Sequence, residues 1–327
     1  MTDHPGLQPH AATDVGGSLF VPAGPARLGA GDHVAGTCEG TGQVAWVPTD
    51  LARGPWSPDA LHGGPVAALA ARAVERCAPR PGLEGASVPM HVTRLTVELL
   101  RPVPLSPLHV VARVVRPGRR VQIVDVDVVA ATRPVASARA LRLRVDPGGP
   151  GPRRDAPAGA RAGAGRAPFA GPDASTSTRW RDGDYAGFYN AGAELRFAAG
   201  GFEQPGPAVA WVRLAVPVVP GEEPTPLQRL VAAADFGNGV GAVLPFDRYR
   251  FVNPDLTVWC LRPPAGEWIA LQAETVLGVP GIGLAQSVLW DATDGGPVGR
   301  GFQSLVVERR SDSDSDGDSD SDGEGAR

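Results

Sequence analysis

Three stretches of the chain alternate strictly between apolar and polar positions. Leu95, Val97 and Leu99 interleave with Arg94, Thr96 and Glu98; Val124, Val126 and Val128 with Asp125 and Asp127; Leu141, Leu143 and Val145 with Arg142 and Arg144. A period of two puts each set on its own face of an extended chain, so each stretch predicts a strand with one dry and one wet face. The segment from about Pro65 to Cys77 follows another rule. It is rich in alanine, and Val66, Leu69 and Val74 spread around much of a helical circumference, which predicts a helix covered on most sides.

This order of elements occurs twice. LTVELLRP, Leu95 to Pro102, returns as LTVWCLRP, Leu256 to Pro263, 161 positions later, and the same offset lays Ala138–Leu143 on Gly299–Ser304 and the helical stretch from Leu61 on that from Glu222. Each half reads as an early strand, one helix and a run of long strands. The expected fold is therefore α+β: two antiparallel sheets, each wrapped around a central helix. Between the halves, from Asp146 to Pro172, 13 of 27 residues are Gly or Pro, a composition that cannot bury enough apolar surface to offset its ordering entropy. The expected organisation is a flexible segment over 1–35, a first domain over 36–145, a linker over 146–175, a second domain over 176–310 and a disordered acidic tail over 311–327.

Composition narrows the chemistry. At 327 residues and 43% hydrophobic content, two cores are affordable. The formal charge of −4 misleads, because the tail holds seven acids against one arginine and the remaining body is +2. Such a body offers no broad field to nucleic acid. The 31 basic residues are all arginine, which removes Schiff-base and P-loop lysine chemistry. The tail's D-x-D-x-D-G run, Asp312 to Gly317, lacks the bidentate acid a calcium loop needs at its twelfth position, which is Gly323. Cys38, Cys77 and Cys260 are odd in number and far apart, so neither a disulfide framework nor a thiolate zinc site is expected, and a reducing cytoplasm fits best. The start lacks a signal-peptide pattern and no run of ~18 apolar residues occurs, so no membrane association is expected. No ligand cluster suggests a metal, and no cofactor is expected.

Three residue runs carry a resemblance. WSPDALHGGPVAALAARA, Trp56 to Ala73, opens a helix on His-Gly-Gly; AADFGNGVG, Ala233 to Gly241, places Asp235 late in the second helix; and DLTVWCLRP contains Asp255, Trp259, Arg262 and Pro263 in an Asp-x-Ser-x-Trp-x-x-Arg-Pro pattern, with Thr257 at the serine position. In order and spacing these runs resemble the acyl-CoA thioesterase II family and its thioesterase-like double-hotdog relatives, over roughly residues 40–145 and 185–310. The resemblance implies a tandem hotdog fold, hydrolysis of acyl-CoA or acyl-carrier thioesters, and a homo-oligomer. It also implies that an Asp, a Thr or Ser, and a Gln surround the attacking water. By position these are Asp235, Asn253 and Gln303, where Asn253 departs from the family's hydroxyl but can still accept from water while donating to a carboxylate.

An internal comparison isolates the same trio. An offset of 161 puts Asp235 on Val74, Asn253 on Val92 and Gln303 on Arg142, while Gly63 and Gly64 fall on Pro224 and Thr225. Each half lacks what the other has, so one composite site per chain is expected. Its polar side chains would come from the second half, and its oxyanion- and substrate-binding groups, His62, Gly63 and Gly64, from the N-terminus of the first helix, where orphan N–H groups and the helix dipole favour a developing oxyanion. On this reading Gly64→Val should abolish most turnover and leave the fold mostly intact.

Each residue also has a plainer role. Asp235 could cap a helix end, Gln303 could face solvent, and Asn253-Pro254 could be a turn. His62 at a helix start suits a structural role, and the glycine pair suits close packing. Arg101 and Arg262, each before proline, could meet CoA phosphates, but their duplication favours a role in the fold. All six histidines lie between positions 4 and 109, which leaves the second half without a histidine base and sets aside hydratase chemistry; no G-x-S-x-G elbow occurs. The G-x-G-x-G run from Gly237 to Gly241 follows a helix, so it is no dinucleotide fingerprint. Two functions survive: an acyl-CoA thioesterase and a non-catalytic acyl-binding protein of the same fold.

Overall fold

A computed structural model describes residues 17–25, 38, 41–42, 44–77, 89–149, 165–178 and 185–310. The first half carries β1 (Phe20–Pro25), β2 (Val44–Pro48), α1 (Gly63–Glu75), β3 (Met90–Leu99), β4 (Leu108–Pro117), β5 (Val121–Ala130) and β6 (Arg133–Arg144). The second carries β7 (Thr176–Thr178), β8 (Ala193–Gly201), β9 (Gln204–Leu214), α2 (Pro226–Ala234), α3 (Gly237–Val240), β10 (Tyr249–Val252), β11 (Asp255–Cys260), β12 (Ile269–Leu277), β13 (Ile282–Asp291) and β14 (Pro297–Arg309). No helix is long and apolar enough to cross a membrane among the described residues.

The alternating stretches form strands as their period demands. Buried and half-buried positions alternate along all ten residues of β5, with Val124, Val126 and Val128 inward. The alanine-rich helix is covered nearly all round: of its last ten residues before Glu75, only Arg72 reaches outward. Helix α2 starts on a reciprocal cap, in which Thr225 Oγ1 accepts from the Gln228 N–H at 3.2 Å and Gln228 Oε1 accepts from the Thr225 N–H at 3.4 Å, with Pro226 at the first helical position.

The expected two sheets are joined into one. Among the described residues, fourteen antiparallel strands run in the order β1-β2-β4-β5-β6-β3-β11-β14-β13-β12-β9-β8-β7, with β10 beside β14. At the centre Thr96 lies opposite Thr257, 161 positions away, and their hydroxyls share a hydrogen bond of 3.1 Å. Twin residues facing each other mark a pseudo-twofold axis. Joining β3 to β11 removes two strand edges that separate sheets would expose. The apolar core is likewise continuous across both halves, with α1 packed on α2. Arg72 of α1 and Arg76, which caps its C-terminus, both bond Glu222 ahead of α2 at 2.7 Å, and the Arg72 hydrogen bond holds the Glu222 carboxyl below its ordinary range.

Strand register corrects the repeat. Ala112 pairs Val126 and, 161 positions on, Ala273 pairs Ser287, so the offset holds for β4/β12 and β5/β13. Val126, however, pairs Ala138, whereas Ser287 pairs Gly301, so β14 is displaced by 163 from β6. The turn between β13 and β14 is two residues longer than its twin. A shift of two preserves which side chains face inward, which is why it escapes notice in the pattern. The structural counterpart of Gln303 is thus Ala140, not Arg142. Arg142, one inward position further along, is buried and donates to the carbonyls of Val74 and of Cys77, the latter at 2.9 Å, closing the end of α1.

Three further expectations change. Residues 17–25 lie in the stretch read as flexible, yet Leu19 and Phe20 are fully buried and their N–H groups bond Pro217 and Val218 carbonyls at 3.0 Å. The far end of the Gly/Pro-rich stretch is packed: Phe169 sits edge-on to Trp211 and Trp290 at 5.8 Å, and Trp211 Nε1 donates to the Ala170 carbonyl at 2.8 Å. Residues 150–164 and the acidic tail lie outside the described residues. Cys38 and Cys77 form a disulfide with Cα atoms 5.1 Å apart, because α1 ends beneath β4, where the Cys38 N–H bonds the Ala112 carbonyl at 2.8 Å. The cysteine-based reason for a reducing compartment falls with it. Cys260 is free and buried, and that burial pushes its thiol to about 12.

Candidate active site

Asp235 is the C-terminal cap of α2 and is 2% exposed. A carboxylate at the negative end of a helix needs compensation. It receives three donors. Asn253 Nδ2 donates to Oδ1 at 2.9 Å, Gln303 Nε2 donates to Oδ1 at 3.1 Å, and His62 Nδ1 lies 2.7 Å from Oδ2. The positive N-terminus of α1, whose first residue Gly63 lies against the Asp235 oxygens, faces the same carboxylate.

Local backbone features aim each partner. Asn253 and Pro254 interrupt the ladder between β10 and β11, and the register against β14 slips by one residue across the break. The twin strand β3 slips at the matching place, between Val92 and Arg94. Such a bulge re-aims a side chain, and here it turns Asn253 toward Asp235. Gln303 faces inward from β14. Its Nε2 also donates to the Asp235 carbonyl at 3.1 Å, and its Oε1 accepts from the Asn238 N–H at 2.9 Å.

The His62 contacts fix its tautomer by chemistry. Nδ1 lies 3.1 Å from the Gly64 N–H as well as 2.7 Å from the carboxylate. One nitrogen cannot accept from the first and donate to the second at once. The short carboxylate contact requires the proton, so Nδ1–H donates to Asp235. The ring packs against both Phe188 and Phe236, at centroid distances of 5.1 and 4.9 Å, and those two rings stack on each other at 5.2 Å.

The glycines divide. A Cβ on Gly63 would stand 2.7 and 2.9 Å from the two Asp235 oxygens, whereas one on Gly64 would meet the Ala232 carbonyl and the Phe188 ring, both at 2.8 Å. Gly63 lines the cavity described next; Gly64 does not. Gly64→Val would therefore force α1 off α2, and the expectation that it spares the fold is withdrawn.

A cavity of about 440 Å³ lies between the halves. The first half contributes the loop from Gly54 to Gly63 and the segment from Leu99 to Val103; the second contributes Asp235, Asn238, Asn253 and an apolar wall including Phe202, Phe236 and Phe246. Its buried end holds the carboxylate, and its exposed end carries Arg101, Pro102, Val306 and Glu308. Residues 52–143 match the acyl-CoA thioesterase N-terminal domain, and residues 120–307 match the acyl-CoA thioesterase C-terminal domain. The chain belongs to the acyl-CoA thioesterase family.

Solved structures agree on the fold. A Thermobifida fusca YX protein, proposed to be a thioesterase II, is 18% identical with a TM-score of 0.60, covering 88% of this chain and 100% of its own. A hot dog fold protein of unknown function from Alicyclobacillus acidocaldarius is 16% identical with a TM-score of 0.60, over 84% and 96%. The acyl-CoA thioesterase II TesB2 from Mycobacterium marinum is 17% identical with a TM-score of 0.53, over 76% and 90%. No curated protein matches the sequence.

Within this thioesterase-family chain, two features escape the sequence reading. Asn238, one helical turn beyond Asp235, ties the amides together: its Nδ2 lies 3.3 Å from both Asn253 Oδ1 and the Phe251 carbonyl, and its N–H holds Gln303. The FGNG run signalled only a turn, although a spacing of three on helical backbone places Asn238 on the carboxylate's side. The second is the His62 contact itself, invisible because 173 positions separate the partners in sequence. Asn238→Ala leaves Asn253 Oδ1 without that donor at a buried site, a cost of about 1–3 kcal/mol. It should lower both melting temperature and turnover, the latter by less than loss of the Asp235 carboxylate. Equal losses from the two substitutions would show that Asn238 does more than hold Asn253.

Proposed function

We propose that the chain is an acyl-CoA thioesterase that hydrolyses a thioester to a free acid and CoA through a water activated at Asp235. The observation that carries this is the convergence of Asn253, Gln303 and His62 on one buried carboxylate that opens to the cavity past the bare Cα of Gly63. A carboxylate offers about four lone-pair directions, and three are filled here, so one remains for water.

In the proposed reaction the water oxygen bonds to the thioester carbonyl carbon as its proton passes to Asp235. The carbonyl becomes an oxyanion held by the Gly63 N–H at the α1 N-terminus. Collapse breaks the carbon–sulfur bond, and the proton on Asp235 moves to the leaving sulfur. Asn253 and Gln303 hold Oδ1, His62 holds Oδ2, and Asn238 stiffens the amides. The paired sheets and helices read as a double hotdog, and the substrate as acyl-CoA or an acyl-carrier thioester. A cytoplasmic homo-oligomer belongs to the same reading; a monomeric mass by light scattering would remove that part.

One contact favours a second reading. Hydratase chemistry needs an acid beside a histidine, and His62 provides one 2.7 Å from Asp235 although none follows it in sequence. Thiol release across a panel of saturated acyl-CoAs tests the first reading. Water addition to an enoyl-CoA without thiol release would replace it with the second, and tight acyl-CoA binding with neither reaction would leave a non-catalytic acyl-binding protein.

A further inference from the structure

The repeat leaves one arginine held and its twin free. Arg101 and Arg262 follow β3 and β11 at the same offset that relates Thr96 to Thr257. Arg262 is locked. Its guanidinium meets Asp291 at 3.3 Å, Asp294 at 2.6 Å and the Gly296 carbonyl at 3.2 Å, and Asp291 is itself fully buried and accepts from the Ala265, Gly266 and Thr293 N–H groups.

The first half has neither acid. The counterpart of Asp291 at the end of β5 is Ala130, and Asp294 belongs to the β13–β14 turn, which is two residues longer than the β5–β6 turn. Arg101 accordingly has no acidic partner among the described residues and is exposed, on the rim of the cavity that holds Asp235. The other arginine on that rim, Arg250, is already paired with Glu308 at 3.1 Å. A partnerless guanidinium serves stability poorly and suits a ligand's anion well: it is permanently charged and its planar fork matches phosphate oxygens.

We propose that Arg101 is a specificity residue that binds a phosphate of the pantetheine carrier at the mouth of the cavity, while the acyl group lies inward. The inference rests on the thioesterase reading for the identity of its ligand. It also explains why duplication preserved both arginines without preserving their roles. At the mouth of the working site the arginine meets substrate; at the other it ties a turn to the sheet.

The test compares Arg101→Gln with the unaltered protein on a ladder of thioesters bearing one acyl group: CoA, 3′-dephospho-CoA, phosphopantetheine and N-acetylcysteamine. With the CoA ester, KM is expected to rise roughly fivefold to tenfold, as suits a charge-assisted contact at an exposed rim, with kcat unchanged. With the N-acetylcysteamine ester, which has no phosphate, the two proteins should be indistinguishable. Sensitivity lost on removing the 3′-phosphate identifies that group, and sensitivity kept by the phosphopantetheine ester identifies the phosphate shared with carrier proteins; both support the proposal. An unchanged KM for acyl-CoA, or an equal rise for the phosphate-free ester, overturns it. Calorimetric titration with free CoA separates the two levels of inference. Absent turnover with CoA binding weakened by Arg101→Gln would remove the hydrolase and keep the phosphate contact; CoA binding that is absent, or equal in both proteins, would remove the contact.

Discussion

Asp235→Asn should abolish most thiol release while leaving the fold in place. The expected fall in kcat is about 10²–10⁴-fold, the usual contribution of a positioned general base. The geometry makes this substitution unusually clean. The side-chain oxygen of the introduced amide would keep both donors, from Asn253 at 2.9 Å and Gln303 at 3.1 Å, because an amide oxygen accepts as a carboxylate does. The amide nitrogen would donate to His62 Nδ1 in the opposite tautomer, in which the ring proton sits on Nε2. No buried group loses its partner, so the melting temperature should change little. What disappears is the ability to take a proton. Thiol-release kinetics beside a thermal melt check both halves of the expectation. Full activity in the variant would move proton transfer elsewhere, and His62 would be the next group to substitute. A collapsed melting temperature would instead show that the charge, set against the α1 N-terminus, is structural.

Much of this site was legible because its members are set apart by asymmetry. Val92 opposite Asn253, and Val74 opposite Asp235, stand out once the halves are laid together, and the strands show themselves through a period of two. Some relations could not be read that way. A two-residue insertion in a strand turn preserves inside and outside, so the pattern around Gln303 looked aligned with Arg142 when Ala140 is its partner. The pairing of β3 with β11 depends on edge satisfaction between distant segments, which no local period encodes. The His62–Asp235 contact and the Cys38–Cys77 bridge depend on where helix ends fall in space. Leu19 and Phe20 were hidden for another reason: two apolar residues in a loose stretch carry too little periodicity to announce a strand.

The glycine pair offers the sharpest contrast in outcome. Gly63→Ala places a methyl 2.7 and 2.9 Å from the carboxylate oxygens, closer than atoms of those kinds approach. The carboxylate cannot swing aside cheaply, because three donors hold it and a displacement that relieves the methyl stretches them. A misplaced catalytic group costs on the order of 10²-fold in rate, so kcat should fall about that far. The melting temperature should drop only modestly, since the strain falls on a side chain. Gly64→Ala acts on backbone instead. Its methyl meets the Ala232 carbonyl at 2.8 Å, and α1 must shift on α2, an overpacking cost of about 1–3 kcal/mol. The expected result is a lowered melting temperature with a smaller loss of turnover per folded molecule. Should Gly64→Ala instead keep its melting temperature and lose activity as deeply as Gly63→Ala, the Gly64 amide would be the oxyanion donor.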